Sequence, residues 1–210
     1  MDINDERIEF VVQNTVVLRQ PKQRLSTIGT TNIHYYLVSE PSYSELQKEG
    51  AVAETVIREG RVIAEKPKIV TPHYLSRLDG FGPEARRYFD MLIRMHGAST
   101  PGLFYAYKNQ PEQMNIVSDS LAAVVTRLNQ DLEQRGDPLV SIIKGQDDLW
   151  DVSLMKFVYE MTRRSIEKNL RQLNSRGLLD IDPQGVPVEA RLNIEKLFFE
   201  VNKGERDPAE

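Results

Sequence analysis

Arg19, Lys22 and Arg24 precede the hydroxyl-rich run Ser26-Thr27-Ile28-Gly29-Thr30-Thr31-Asn32, inside a window from Val11 to Ser39 that holds no acidic residue. Cations followed by small donors around a glycine suit an anion, because hydroxyls and backbone N–H groups can both reach it. Arg19, Lys22, Arg24, Thr30, Thr31 and Asn32 are therefore the candidate anion-binding residues, and a phosphate-bearing molecule is the expected ligand. A polar loop between two strands is the plainer and commoner reading of the same run. His34 is the only nearby side chain suited to act as a base, so an enzyme acting on a phosphorylated small molecule would share this site.

Other chemistry-bearing patterns carry less. Gly80-Phe81-Gly82-Pro83-Glu84-Ala85 matches G-x-G-x-x-A. The preceding Tyr74 to Asp79 is too charged for the buried strand that a dinucleotide turn must leave, and a turn opening a helix explains the glycines. Asp147, Asp148 and Asp151 cluster, but they lack the inner glycine and terminal bidentate acid of a calcium loop. Capping of a helix by Asp148, with Asp151 in the first turn, is the expected role. His34, His73 and His96 form no H-x-x-x-H pair, and no metal or cofactor is expected. Neither a G-x-S-x-G turn nor a phosphate loop with its lysine is present.

A second basic region lies near the C-terminus. Between Lys156 and Arg176 there are six bases and two acids. Arg163-Arg164-Ser165-Ile166-Glu167-Lys168-Asn169-Leu170-Arg171-Gln172-Leu173-Asn174-Ser175-Arg176-Gly177-Leu178-Leu179 resembles the recognition helix and first wing strand of a winged helix-turn-helix module. That resemblance covers under a tenth of the chain. It implies a DNA-binding regulator as the alternative function, with Arg163, Arg164, Lys168, Arg171 and Arg176 on phosphates and base edges. An amphipathic helix with a solvated basic face accounts for the same residues and is preferred.

Composition narrows the field. Hydrophobic residues make up 40% of the 210 and charged residues 28%, which is ordinary for a folded domain. The net charge of −4 argues against a protein that coats nucleic acid. The absence of cysteine excludes disulfide scaffolds, thiolate metal sites and thiol nucleophiles together. No secretory signal pattern or membrane-length apolar run occurs, so a cytoplasmic location is expected.

The elements that must position these residues fall into three stretches. In residues 1–75, Ile8, Phe10, Val12, Val16 and Leu18 alternate as one long half-buried strand, and Ile33 to Val38 forms a second. Thr55 to Ile57 and Val62 to Ala64 flank Glu59-Gly60 as a hairpin. Lys68 to Thr71, between prolines, is an edge or crossing segment. In residues 76–146, a helix from Pro83 to Gly97, a strand at Leu103 to Tyr107, a helix striped with Leu121, Val124, Val125, Leu128 and Leu132, and a strand at Leu139 to Ile143 make a βαβ unit. The five striped residues should be buried against Phe104 or Tyr105 on one side and Leu139 to Ile143 on the other. Residues 147–210 are helical, with two offset stripes before Asn174 and a last helix at Val188 to Val201. The tail at Asp207 suggests that the chain continues.

The expected fold is α+β, with an N-terminal antiparallel β subdomain, a central mixed α/β unit and C-terminal helices. The expected function is a non-catalytic binding or interaction protein for an anionic small molecule or a protein partner, with no cofactor and no membrane.

Overall fold

A single mixed sheet divides the core into two layers. The computed structural model describes residues 3–43, 52–70, 78–96, 102–178, 180, 183, 188–205 and 207. In chain order the elements are α1 (Ile3–Asn14), β1 (Val16–Arg19), β2 (Thr31–Ser39), β3 (Thr55–Ala64), β4 (Lys68–Val70) and β5 (Leu78–Asp79). Then follow α2 (Pro83–His96), β6 (Gly102–Phe104), β7 (Tyr107–Val117), α3 (Leu121–Arg135), β8 (Val140–Lys144), α4 (Trp150–Asn174) and α5 (Val188–Asn202). The chain is α+β. Six strands form the main sheet in the order β1-β8-β2-β3-β7-β5, and β4 pairs with β6 in a two-stranded ribbon.

Strands of the first and middle stretches interleave in that sheet. β2 runs antiparallel to β3 and parallel to β8, and β3 runs antiparallel to β7. β7 and β8 are therefore parallel, and α3 connects them across the two intervening strands β2 and β3.

Alternation along β2 assigns the faces. Ile33, Tyr35 and Leu37 meet Ile8 and Val11 of α1, Ala85 and Tyr88 of α2, and a buried row of α4 from Val152 to Met161. Tyr36 and Val38 turn the other way and join Val140, Ile142, Val124 and Leu132 under α3.

The first strand expected from alternation is instead α1 followed by the short β1. Ile8 and Val11 are buried three apart while Phe10 is 58% exposed, so the operative period is helical, not two. Lys156 Nζ donates to the carbonyls of Val12 and Thr15 at 3.0 and 2.7 Å, closing the C-terminal end of α1.

The hairpin expected at Glu59-Gly60 is likewise absent, and β3 runs straight through it. Gly60 is needed for closeness, not for turning. A Cβ there would lie 2.6 Å from the Tyr35 hydroxyl and 2.7 Å from the Gln110 carbonyl oxygen. The expected strand Leu103–Tyr107 is divided between β6 and the start of β7. Lys68–Val70 does form an edge strand, β4.

The α3 stripe packs as a helix over a sheet, though not on Tyr105, which belongs to the opposite layer. Val124 and Leu132 are fully buried, and Leu121, Val125 and Leu128 are partly so. The side chain of Phe104 lies outside the described residues. Ser120 caps α3 by accepting from Ala123 N–H, and Gly136 ends it in the left-handed region at φ 70°.

Residues 150 to 174 make one uninterrupted helix. Its buried line runs Leu154, Val158, Met161, Ser165, Asn169 and Leu173, so two polar residues bridge the offset stripes. Each is used: Ser165 Oγ accepts Leu25 N–H at 3.1 Å, and Asn169 Nδ2 donates to the Tyr105 hydroxyl at 2.6 Å. α5 packs near β4 and leaves Phe198 and Phe199 exposed.

Candidate ligand site on the open sheet face

The α3 face of the sheet is only partly covered. Beyond the apolar patch under α3, alternation along β2 and β3 brings Asn32, His34, Glu59 and Arg61 to this face. On β7 the register shifts between Gly60 and Glu59, which pair with Pro111 and Gln113, so Glu112 is the extra residue of a bulge. Pro111 has no N–H to give a ladder, and a bulge is where a strand tolerates it.

The bulge completes a cluster. One ligand atom from each of His34, Glu59 and Glu112 lies within 4.8 Å of the others. His34 Nε2 is 2.7 Å from Glu59 Oε1. Glu59 is the only polar partner of this buried nitrogen among the described residues. The Tyr36 hydroxyl donates to Glu59 Oε1 at 3.0 Å and Gln113 Nε2 donates to Oε2 at 2.5 Å. Arg61 Nε pairs with Glu112 Oε1 at 2.7 Å. The rings of His34 and Tyr36 are 4.8 Å apart.

These contacts set the charges. Burial pushes the Glu59 carboxyl up, but the bonds from Gln113 and Tyr36 and the neighbouring His34 outweigh it, and the net shift is downward. Glu59 is thus a carboxylate at neutral pH. Burial, then the bond to Glu59, pushes the Tyr36 hydroxyl up to about 12, so it remains a donor. A carboxylate held by two donors beside an imidazole can take a cation or fix the ring for proton transfer.

The residues expected to bind an anion do not gather in this way. The Arg19 guanidinium turns to α3, donating to Asn129 Oδ1 at 3.2 Å and pairing with Glu133 at 3.6 Å. Lys22 and Arg24 are exposed on the following loop, where Lys22 N–H donates to the Pro138 carbonyl. Thr31 Oγ1 accepts Ser26 N–H, Ser26 Oγ accepts Ile28 N–H, and Thr27 Oγ1 donates to Gln172 Oε1. The hydroxyls of Ser26, Thr27 and Thr31 fasten the loop to itself and to α4. Thr30 is exposed, and Asn32 shares the sheet face with His34.

The basic residues Arg163, Arg164, Lys168, Arg171 and Arg176 are exposed. Arg164 donates to Gln20 Oε1 at 2.5 Å, Arg163 lies over the Tyr159 ring and Arg171 pairs with Glu167. The four on α4 sit within its unbroken length, so the tight turn of a helix-turn-helix is missing before them. Most of the expected wing, Leu178 to Val186, lies outside the described residues.

Nor do the aspartates act as expected. Leu149 occupies the N-cap of α4 with no side-chain cap, so Asp148 caps nothing. It faces a cleft of about 470 Å³ beside Glu6, Arg7 and Glu40. Asp147 pairs with Arg58 at 2.6 Å. Asp151 Oδ2 accepts Gly82 N–H at 3.1 Å, and Gly80 adopts φ 77° against Asn109, so both glycines of the G-x-G turn serve packing. His73 and the His96 side chain lie outside the described residues.

His34 was legible as the one base near the acid-free window, but Glu59 and Glu112 carried no signal. The first sat at an expected turn, and the second in a polar stretch without apolar alternation. No described helix is long and apolar enough to cross a membrane. No family model, no curated protein and no solved structure matches this chain.

Proposed function

We propose that this chain is a binding protein, not a catalyst, and that its ligand sits on the open sheet face around His34, Glu59, Arg61 and Glu112. The carrying observation is the bulge in β7, which brings Glu112 to the His34–Glu59 pair. His34 and Glu59 are partly buried as a pair on this face, where apolar residues would build the sheet at lower cost. A preorganised polar cluster on a rigid sheet is what a ligand site requires. Of the residues expected to bind an anion, Arg19 and Thr31 are engaged internally, and Lys22, Arg24, Thr30 and Asn32 are exposed.

Amide chemical-shift mapping tests the reading. A panel of phosphates, nucleotides, carboxylates, amines and divalent cations is added to the full chain. At least one member should move the amides of His34, Glu59 and Glu112 in preference to the rest. A panel that leaves all three unmoved overturns it.

One observation favours a second reading, an enzyme acting on a phosphorylated small molecule. The 2.7 Å contact with Glu59 orients the His34 imidazole as a general base must be oriented. Hydrolysis of p-nitrophenyl phosphate that disappears in His34→Gln would favour it over simple binding.

A further inference from the structure

We propose that His34, Glu59 and Glu112 together bind one divalent transition-metal cation, an inference that rests on this face being the ligand site. The three side chains come from β2, β3 and β7, neighbouring strands of one sheet, so their backbones are mutually fixed. Their ligand atoms already lie within 4.8 Å of one another.

The buried nitrogen points to a cation. His34 Nε2 is buried 2.7 Å from a Glu59 oxygen, with no second polar partner among the described residues. With the imidazole neutral, a cation shared between the two replaces that contact and takes both lone pairs. At metal–ligand bonds of about 2.0–2.2 Å, tetrahedral ligand atoms stand about 3.4 Å apart. Binding therefore opens the His34–Glu59 contact slightly and draws Glu112 inward. Glu112 can follow, because its side chain is 40% exposed and its Arg61 partner 48% exposed, which makes that ion pair weak competition.

The surroundings match an outer coordination shell. Tyr36 and Gln113 each donate to one oxygen of Glu59, and Arg61 holds Glu112, as the partners of ligating carboxylates do. One imidazole and two carboxylates favour zinc-like ions over magnesium or calcium, which prefer all-oxygen sets. Three protein ligands leave a fourth position, and the sheet face beyond α3 leaves it open to solvent or to a ligand oxygen.

The test titrates the metal-stripped full chain with Zn²⁺ by calorimetry and with Co²⁺ by visible absorption. One equivalent of each should bind, with the d–d bands of low-coordinate cobalt, and Mg²⁺ should not compete. Glu112→Gln, an exposed position, should weaken binding by ~10-fold or more with an unchanged circular dichroism spectrum, and His34→Gln should do the same. Binding unaffected by both variants, or no binding of either metal, overturns the assignment. If another panel member still moves the three amides while Zn²⁺ and Co²⁺ fail to bind, the metal assignment falls and the ligand face stands. If no panel member moves them, both fall.

Discussion

The Tyr35 hydroxyl occupies the space that a side chain at residue 60 would need: a Cβ on Gly60 would lie 2.6 Å from it. Tyr35 is fully buried, and its hydroxyl donates to Asn109 Oδ1 at 3.1 Å, so it cannot swing away without losing a partner. Gly60→Ala should therefore destabilise the fold by ~1–3 kcal/mol through overpacking. Urea unfolding gives the measurement. A double change with Tyr35→Phe should recover little of the loss, since the Gln110 carbonyl oxygen at 2.7 Å and the Tyr35 Cζ at 2.8 Å still crowd the added Cβ.

Lys156 joins α4 to the end of α1. Its ammonium donates to two carbonyls, those of Val12 and Thr15, while Glu160 one turn on is 3.8 Å away. Lys156→Met keeps most of the stem and removes the charged donor. A loss of ~1.5–3 kcal/mol is expected from hydrogen bonds to a charged group. Hydrogen exchange should show the loss first in the amides of α1, because that helix end is left open.

Leu132 tests the layer under α3. It is 2% exposed and packs with Tyr36, Val38, Val140 and Ile142. Leu132→Ala should cost ~2–5 kcal/mol in transfer energy and residual cavity. Leu128→Ala should cost less, because Leu128 is only partly buried. Equal losses would mean that α3 is rotated from the position described.

Glu59 gives a pH dependence. Its folded value lies below the ordinary 4.5, so the folded protein binds fewer protons than the unfolded chain between the two values. The resulting stability is fully present above about 4.5 and is lost as pH falls through the folded value. The stability gap between the natural chain and Glu59→Gln should thus narrow on acidification from pH ~6 to pH ~3. A gap that widens would show that burial, not the donors from Gln113 and Tyr36, dominates this carboxyl.

Local signals identified the elements whose sequence speaks for itself. β2, α2, α3 and β8 have clean periods, and Ser120 and Gly136 mark both ends of α3. Elsewhere one pattern fits two structures. Ile8, Phe10 and Val12 alternate, but Ile8 and Val11 also sit one helical turn apart, and only packing on α4 decides between them. Gly60 serves equally for a turn or for a close approach, and Tyr35, twenty-five positions earlier, selects the second. β7 was invisible because residues 111 to 116 are exposed and supply no apolar alternation. The site inherits that blindness, since Glu112 reaches it only through a bulge opposite Gly60.

The position of β8 governs when the sheet can be finished. It pairs with β2 through His34 and Val140, 106 positions apart (140 less 34), and with β1 through Val16 and Lys144, 128 positions apart (144 less 16). β1 has no other strand beside it among the described residues. During synthesis β2 and β3 can pair early, but β1 must wait until Lys144 has been made. Closing such long loops before their contacts are rewarded places refolding on the order of milliseconds to seconds. Throughout that interval the edge of β2 that β8 will cover stands open, making it the stretch where a nascent chain is most exposed to pairing with the wrong strand.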